Sequence, residues 1–338
     1  MEPLRIVITT PAFDPSAPLA DQACIDMMKQ AAPDAVISDG SGLLLKELQG
    51  DADAKRELDL LLAGADVVFG FVPPADIINR APKLKWLQAT SAGVDRLTRS
   101  EIWDSNIIIT GVSGIHATAI SEFVLGTMLA FAKGTLQSFR NQQQHTWGRY
   151  TATGLHGRTV GIVGLGNIGR EIARLSKAFR MRVIATRRST RKTGTARNVD
   201  ILIPQAELRT LLGESDYVVL SVPLTKETHN LIGAAELAAM KPDAYLINIA
   251  RGGIVDEEAL IAALKDRKIA GAGLDVTVKE PLPPESPLWD LENVILSPHV
   301  SGGMEDYMLR ATGVFCDNLV RYRDGRRLRN LVKRSRGY

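Results

Sequence analysis

An α/β fold made of two doubly wound parallel sheets is predicted for this chain, and three observations carry the prediction. Short apolar runs alternate with helix-like stretches along almost the whole sequence. A strand, a glycine-rich turn and an amphipathic helix follow one another from residue 160. The 338 residues, 45% hydrophobic and 23% charged, suit two domains with sizeable cores.

The first series of strands reads LRIVIT at 4–9, DAVIS at 34–38, DVVFGFV at 66–72, LKWLQAT at 84–90 and NIIIT at 106–110. A helix is expected from about Ala117 to Lys133, with Ile120, Val124, Leu125, Met128, Leu129 and Ala132 apolar. It looks like a bridge, leading through the polar stretch NQQQHTWGRYT to the glycine turn. The second series continues with MRVIAT at 181–186, YVVLSVP at 217–223, AYLINIA at 244–250, GAGLDV at 271–276 and VILS at 294–297. One Pro-rich loop, EPLPPESP at 280–287, interrupts it. After Pro298, His299 and Gly302–Gly303 comes a closing helix, about Glu305 to Tyr322, expected to return to the first domain. The expected division is therefore 1–116 with 301–338, and 117–300, with a cleft between the two.

The turn at 160–169, VGIVGLGNIG, supplies the first chemistry. Gly164 permits the tight turn, Gly166 lets the backbone approach a pyrophosphate without a Cβ, and Gly169 allows close packing of helix on strand. Exposed N–H groups at the helix start then meet the phosphates. The helix stripe is read as Ile168, Ile172, Leu175 and Phe179. Together these predict a dinucleotide site. An NAD-specific site would place Asp or Glu near the end of the next strand, to hold the ribose 2′-hydroxyl. This chain has Thr186, Arg187, Arg188 and Ser189 there, followed by Arg191 and Lys192. A guanidinium fork matches a phosphate, so Arg187, Arg188 and Ser189 favour NADP over NAD.

Other features narrow the class. Cys24 and Cys316 lie far apart with no partner motif, which reads as buried small hydrophobes and no metal site. The start MEPLRIVITT lacks a basic segment followed by a long apolar one, and no stretch approaches the roughly 20 apolar residues of a bilayer span. A cytoplasmic protein that engages no membrane is expected. Residues 321–338 carry a net charge of +7, leaving −4 for the remainder of a chain of net +3. Leu328, Leu331 and Val332 interleave with these charges and no groove-reading motif accompanies them. The tail is therefore read as packed on the body, and no nucleic-acid partner is expected.

Ligands of open parallel sheets bind beyond the carboxyl ends of the strands. Three ionisable residues fall there: Arg251 after AYLINIA, Glu280 soon after GLDVTV, and His299 after VILS. Reduction of a 2-oxo acid needs a hydride, a proton for the carbonyl oxygen and a cation for the carboxylate. His299 can give the proton, Glu280 can favour its imidazolium, and Arg251 offers two parallel donors. His116, Trp289 and Tyr307 are weaker candidates; His116 suits a capping or hinge role, Trp289 packing, and Tyr307 a place facing substrate.

The segments VGIVGLGNIGR, NIARGGIVDE, GLDVTVKEPLP and SPHVSGG resemble the four motifs of the D-isomer-specific 2-hydroxyacid dehydrogenases, in order and spacing. The resemblance implies a flavodoxin-like substrate domain, a Rossmann dinucleotide domain, and Arg251, Glu280 and His299 as the catalytic set. It implies that the loop QATSAGVDRL, through the N–H groups of Ala92, Gly93 and Val94, holds the substrate carboxylate, with Arg251 and His299 also binding substrate. It further implies cofactor contacts at Gly164, Leu165, Gly166, Asn167, Ile168, Gly169, Val222, Pro223, Ile249, Ala250, Arg251, Asp275, His299, Ser301 and Gly302. The basic pair Arg187 and Arg188 is similar to the glyoxylate and hydroxypyruvate reductase branch, and homodimerisation is implied as well. The expected activity is NADPH-dependent reduction of a small 2-oxo acid such as glyoxylate, hydroxypyruvate or an aryl pyruvate. A non-enzymatic, dinucleotide-sensing corepressor of the same fold is the alternative. Formate dehydrogenases of this fold carry Gln at the position of Glu280, which disfavours oxidation of a one-carbon donor.

Overall fold

In the computed structural model the described residues are 3–10, 22–71 and 73–334, the side chains of residues 95 and 96 excepted. Two compact units divide the chain: residues 1–115 with 304–338, and residues 116–303.

The first unit holds β1 (Arg5–Thr9), α1 (Gln22–Ala31), β2 (Val36–Asp39), α2 (Ser41–Leu48), α3 (Ala52–Leu62), β3 (Val67–Gly70), α4 (Ile77–Arg80), β4 (Trp86–Ala89) and β5 (Ile108–Thr110). The five strands form one parallel sheet in the order β2-β1-β3-β4-β5, the flavodoxin-like order. β3 and β4 are wholly buried, as strands covered on both faces must be. One face packs Leu58, Leu62, Val68 and Leu87; the other packs Ile6, Phe69 and Trp86. The last helix of the chain, Tyr307–Arg323, belongs to this unit and stacks Phe315 on Phe69 at 4.8 Å between ring centroids. The basic tail runs along the β5 edge: Leu331 bridges Thr110, and the Val332 N–H donates to the Ile109 carbonyl at 2.9 Å. Much of its charge is paired, Arg329 and Arg321 on Asp317 and Arg326 on Asp324. Cys24 is buried and Cys316 half-buried, neither is in a disulfide, and burial pushes the Cys316 thiol up to about 11.

The second unit holds α5 (Ala117–Ala132), α6 (Thr135–Gln143), β6 (Thr159–Val163), α7 (Asn167–Ala178), β7 (Arg182–Arg187), β8 (Gly194–Ala196), β9 (Val199–Pro204), α8 (Leu208–Glu214), β10 (Tyr217–Leu220), α9 (Ala234–Ala238), β11 (Tyr245–Asn248), α10 (Glu257–Lys265), β12 (Gly271–Leu274) and β13 (Val294–Leu296). The closing helix is thus α11. The eight strands run β13-β12-β11-β10-β6-β7-β9-β8, parallel except for β8. The order reverses at β6, so the switch point lies between β6 and β10, directly above the glycine turn.

Four details differ from the sequence reading. The stripe of α7 that is buried is Gly169, Ile172, Ala173 and Ser176; Ile168 and Leu175 are half-buried and Phe179 falls in the C-cap, exposed. At Gly169 the approach is close: a Cβ there would come within 2.3 Å of the Gly164 carbonyl oxygen and 3.1 Å of Ile162 Cγ2. The expected bridging helix α5 is a core element of the second unit, with Val124 and Met128 in the same cluster as Ile172. Part of the polar stretch after it is helical, as α6, and the hairpin-like pair β8 and β9 extends the sheet beyond β7.

Candidate active site

The glycine turn is braced from both neighbouring strands. Thr186, near the end of β7, receives the Gly164 N–H on its hydroxyl at 3.3 Å and the Leu165 N–H on its carbonyl at 2.9 Å. Ser221, just past β10, donates its hydroxyl to the Gly164 carbonyl at 2.6 Å. Gly164 has φ +103°, and a Cβ there would meet Val222 Cγ1 at 2.7 Å and the Ser221 carbonyl oxygen at 2.8 Å. A Cβ on Gly166 would meet nothing within 4 Å. The open side of the turn therefore lies at Gly166, and α7 starts there with no side-chain cap. A helix start without a capping side chain, beside a turn that only glycine keeps clear, suits a diphosphate group. Around it Leu165 is buried, Ile168 and Val222 are half-buried, and Asn167 and Pro223 are exposed.

At the end of β7, Arg187, Arg188 and Ser189 are all exposed. The Glu227 carboxyl is held below the usual carboxylate range, first by the Thr225 hydroxyl and also by the positive charge of Arg188.

Beyond β11, β12 and β13 the ionisable residues gather. His299 Nδ1 lies 2.9 Å from Glu280 Oε2, with the two side chains 45% and 37% exposed. Glu280 Oε1 accepts the Thr277 N–H at 3.2 Å. With Nδ1 turned to Glu280, Nε2 is the ring nitrogen left for a substrate. His299 itself is left-handed, φ +56°, an uncommon conformation for a side chain of this size. Asp275 holds it there. This carboxylate, 1% exposed, accepts the Ser297 hydroxyl at 2.7 Å, the Val300 N–H at 2.8 Å and the Ser301 N–H at 3.1 Å, while the Asp275 carbonyl takes the His299 N–H at 2.9 Å. Ser301 is buried, and a Cβ on Gly302 would come within 3.0 Å of the His116 ring, whose pKa burial lowers.

Arg251 caps the short turn after β11. Asn248 braces it, accepting the Ala250 N–H at 3.1 Å and donating to the Arg251 carbonyl at 2.9 Å. The Arg251 guanidinium donates to the Ala250 carbonyl at 2.7 Å. Ile249 and Ala250 are buried beneath it. A Cβ on Gly252 would lie 2.0 Å from the Thr277 carbonyl carbon, so the Arg251 turn rests directly on the segment that leads to Glu280. Ser221, Asn248 and Gly252, and the bracing role of Thr186, escaped the sequence reading. The one signal for them was position: each sits within a few residues of a strand's carboxyl end. Trp289 is 55% exposed and donates Nε1–H to Pro283, and no group of three or more metal-ligating side chains occurs among the described residues. In the first unit, Ala92 is exposed, Gly93 half-buried and Val94 buried; among the described residues their N–H groups donate to no acceptor.

Residues 125–301 match the family model described as D-isomer specific 2-hydroxyacid dehydrogenase, NAD binding domain. The glyoxylate reductase of Korarchaeum cryptofilum is 35% identical over 267 residues, which cover 77% of this chain and 80% of that protein. The glyoxylate/hydroxypyruvate reductase B of Pectobacterium carotovorum is 36% identical over 263 residues, covering 76% and 81%. Among solved structures, the NADPH-dependent glyoxylate/hydroxypyruvate reductase of Sinorhizobium meliloti, in complex with NADP and sulfate, superposes with a TM-score of 0.82 at 27% identity, covering 99% of this chain and 100% of that one.

Proposed function

This chain belongs to the D-isomer specific 2-hydroxyacid dehydrogenase family, and on that premise we propose that it reduces a small 2-oxo acid with NADPH. Glyoxylate and hydroxypyruvate come first as substrates, since they are what the similar reductases are named for, and an aryl pyruvate is the larger candidate. The observation that carries the reading is the contact of His299 Nδ1 with Glu280 Oε2 at 2.9 Å beyond the strand ends.

When bound, the nicotinamide supplies the hydride to the carbonyl carbon. His299 delivers the Nε2 proton to the carbonyl oxygen, so hydride and proton together make the 2-hydroxy acid. Glu280 keeps the ring oriented, with Nδ1 turned to its carboxylate. Arg251, leaving the Ala250 carbonyl, takes up the substrate carboxylate with its guanidinium fork and polarises the carbonyl. The Ala92, Gly93 and Val94 amides hold the same carboxylate. The open side of Gly166 would take the diphosphate, and Arg187, Arg188 and Ser189 would hold the 2′-phosphate. Val222, Pro223, Ile249, Ala250, Asp275, Ser301 and Gly302 would line the cofactor, Asp275 chiefly by fixing the His299 loop.

A panel of 2-oxo acids assayed with NADPH and NADH tests this. The expected result is stoichiometric NADPH oxidation with glyoxylate or hydroxypyruvate. Tight NADPH binding without turnover on any oxo acid would instead favour a dinucleotide-sensing, corepressor-like role. The reading also places the enzyme in the cytoplasm, so recovery in the membrane fraction would count against it; no single helix among the described residues is long and apolar enough to cross a membrane. We further propose a homodimer that covers Trp147 and Phe139, 95% and 59% exposed. Sedimentation at the mass of one chain would refute it.

A further inference from the structure

In the first unit, β4 runs out into the loop Thr90–Val94, and α11 fastens that strand at two points. Asn318 Nδ2 donates to Gln88 Oε1 at 3.2 Å within a buried network, and the Tyr307 hydroxyl donates to the Thr90 carbonyl. The helix is a firm support, because Phe315 also lies 5.2 Å from the Trp86 ring. The phenol of Tyr307 is pushed up to about 12 by burial, so it stays a donor at any working pH.

The loop is held at both ends. At its entry, Thr90 is 1% exposed and its N–H donates to Gly70 at 2.9 Å, while the Ser91 carbonyl accepts the Val112 N–H at 3.2 Å. At its exit, Val94 and Leu97 are sunk in the core, and the Leu97 N–H donates to Val94 at 2.9 Å. Inside the loop the Ser91 hydroxyl donates to the Gly93 carbonyl at 2.8 Å. The Thr90 carbonyl shares a rigid plane with the Ser91 N–H, so a bond that fixes one fixes the direction in which the following amides leave.

We propose that Tyr307 is a positioning residue for 2-oxo acid binding: its hydroxyl, by holding the Thr90 carbonyl, aims the Ala92, Gly93 and Val94 amides at the substrate carboxylate. This rests on the reading of that loop as the carboxylate holder. It also changes the role that sequence alone suggests for Tyr307, from a side chain facing substrate to one bonded to main chain.

Tyr307→Phe keeps the ring packing and removes only the hydroxyl. Tyr322→Phe, which loses a hydroxyl on the same helix, serves as the control. The expected result is a KM for the oxo acid raised about tenfold in Tyr307→Phe, with kcat and NADPH affinity within about threefold of wild type and Tyr322→Phe unaffected. Amide exchange of residues 91–94 is expected to quicken in Tyr307→Phe alone. If wild type is active and Tyr307→Phe has an unchanged KM, the inference falls and the reading of the reaction stands. If wild type reduces no oxo acid, the reaction reading falls and with it the oxo acid as the loop's ligand, and the exchange measurement decides what is left: faster exchange at 91–94 in Tyr307→Phe supports the hold of Tyr307 on the loop, and unchanged exchange overturns that too.

Discussion

Asp275 and Arg188 show what single residues contribute. Asp275 gathers three donors from the Ser297–Ser301 segment and so stabilises the left-handed backbone that turns His299 toward Glu280. Arg188 stands at a strand end that lacks the carboxylate an NAD site would need, and its field reaches Glu227. Arg188→Ala is expected to raise the KM for NADPH about ten- to hundredfold, the range of lost charge-assisted bonds, and to leave the KM for NADH unchanged. Steady-state kinetics with both nicotinamides check it, and equal losses with the two would remove Arg188 from the phosphate site. Arg251, Glu280 and His299 are legible in sequence because each follows an apolar run closely, and in a parallel sheet that places a residue at the carboxyl edge. The reach of Asp275 to residues 22–26 positions further on is not legible, nor is the contact of Gly252 with Thr277. Both are made by neighbouring strands packing side by side, and no local spacing announces them.

Among elements, α7 and its glycine turn do most to define a ligand site. Gly166→Ala adds a Cβ that touches no protein atom, in an extended conformation that alanine adopts readily (φ −86°, ψ −155°). The variant is therefore expected to keep its Tm while binding NADPH about tenfold or more weakly. Thermal melting and a fluorescence titration of NADPH check the two halves of that statement. Loss of Tm with unchanged affinity would mean the open side of the turn faces protein. The strands that bear the site were readable as elements, since buried parallel strands are short apolar runs bounded by turns. α6 and the β8–β9 pair were not. α6 has no fully buried residue, so no apolar stripe marks it, and β8 is a three-residue edge strand, mostly exposed, with almost no apolar pattern to read.

For the whole molecule, chain order and sheet order together decide which residues lie at the carboxyl edge of each sheet. The second unit is inserted into the first, whose sheet is covered on one face by the returning α11, and in each unit loops leave the carboxyl ends of parallel strands. The activity proposed here needs one proton from this chain for every hydride from the cofactor, and His299 is the group assigned to give it. Single-turnover mixing of NADPH-loaded enzyme with saturating glyoxylate, wild type against His299→Gln, tests that assignment most directly. The account predicts hydride transfer slowed by about 10²- to 10⁴-fold in the variant, with NADPH affinity within about twofold of wild type. Hydride transfer at the wild-type rate in His299→Gln would contradict it.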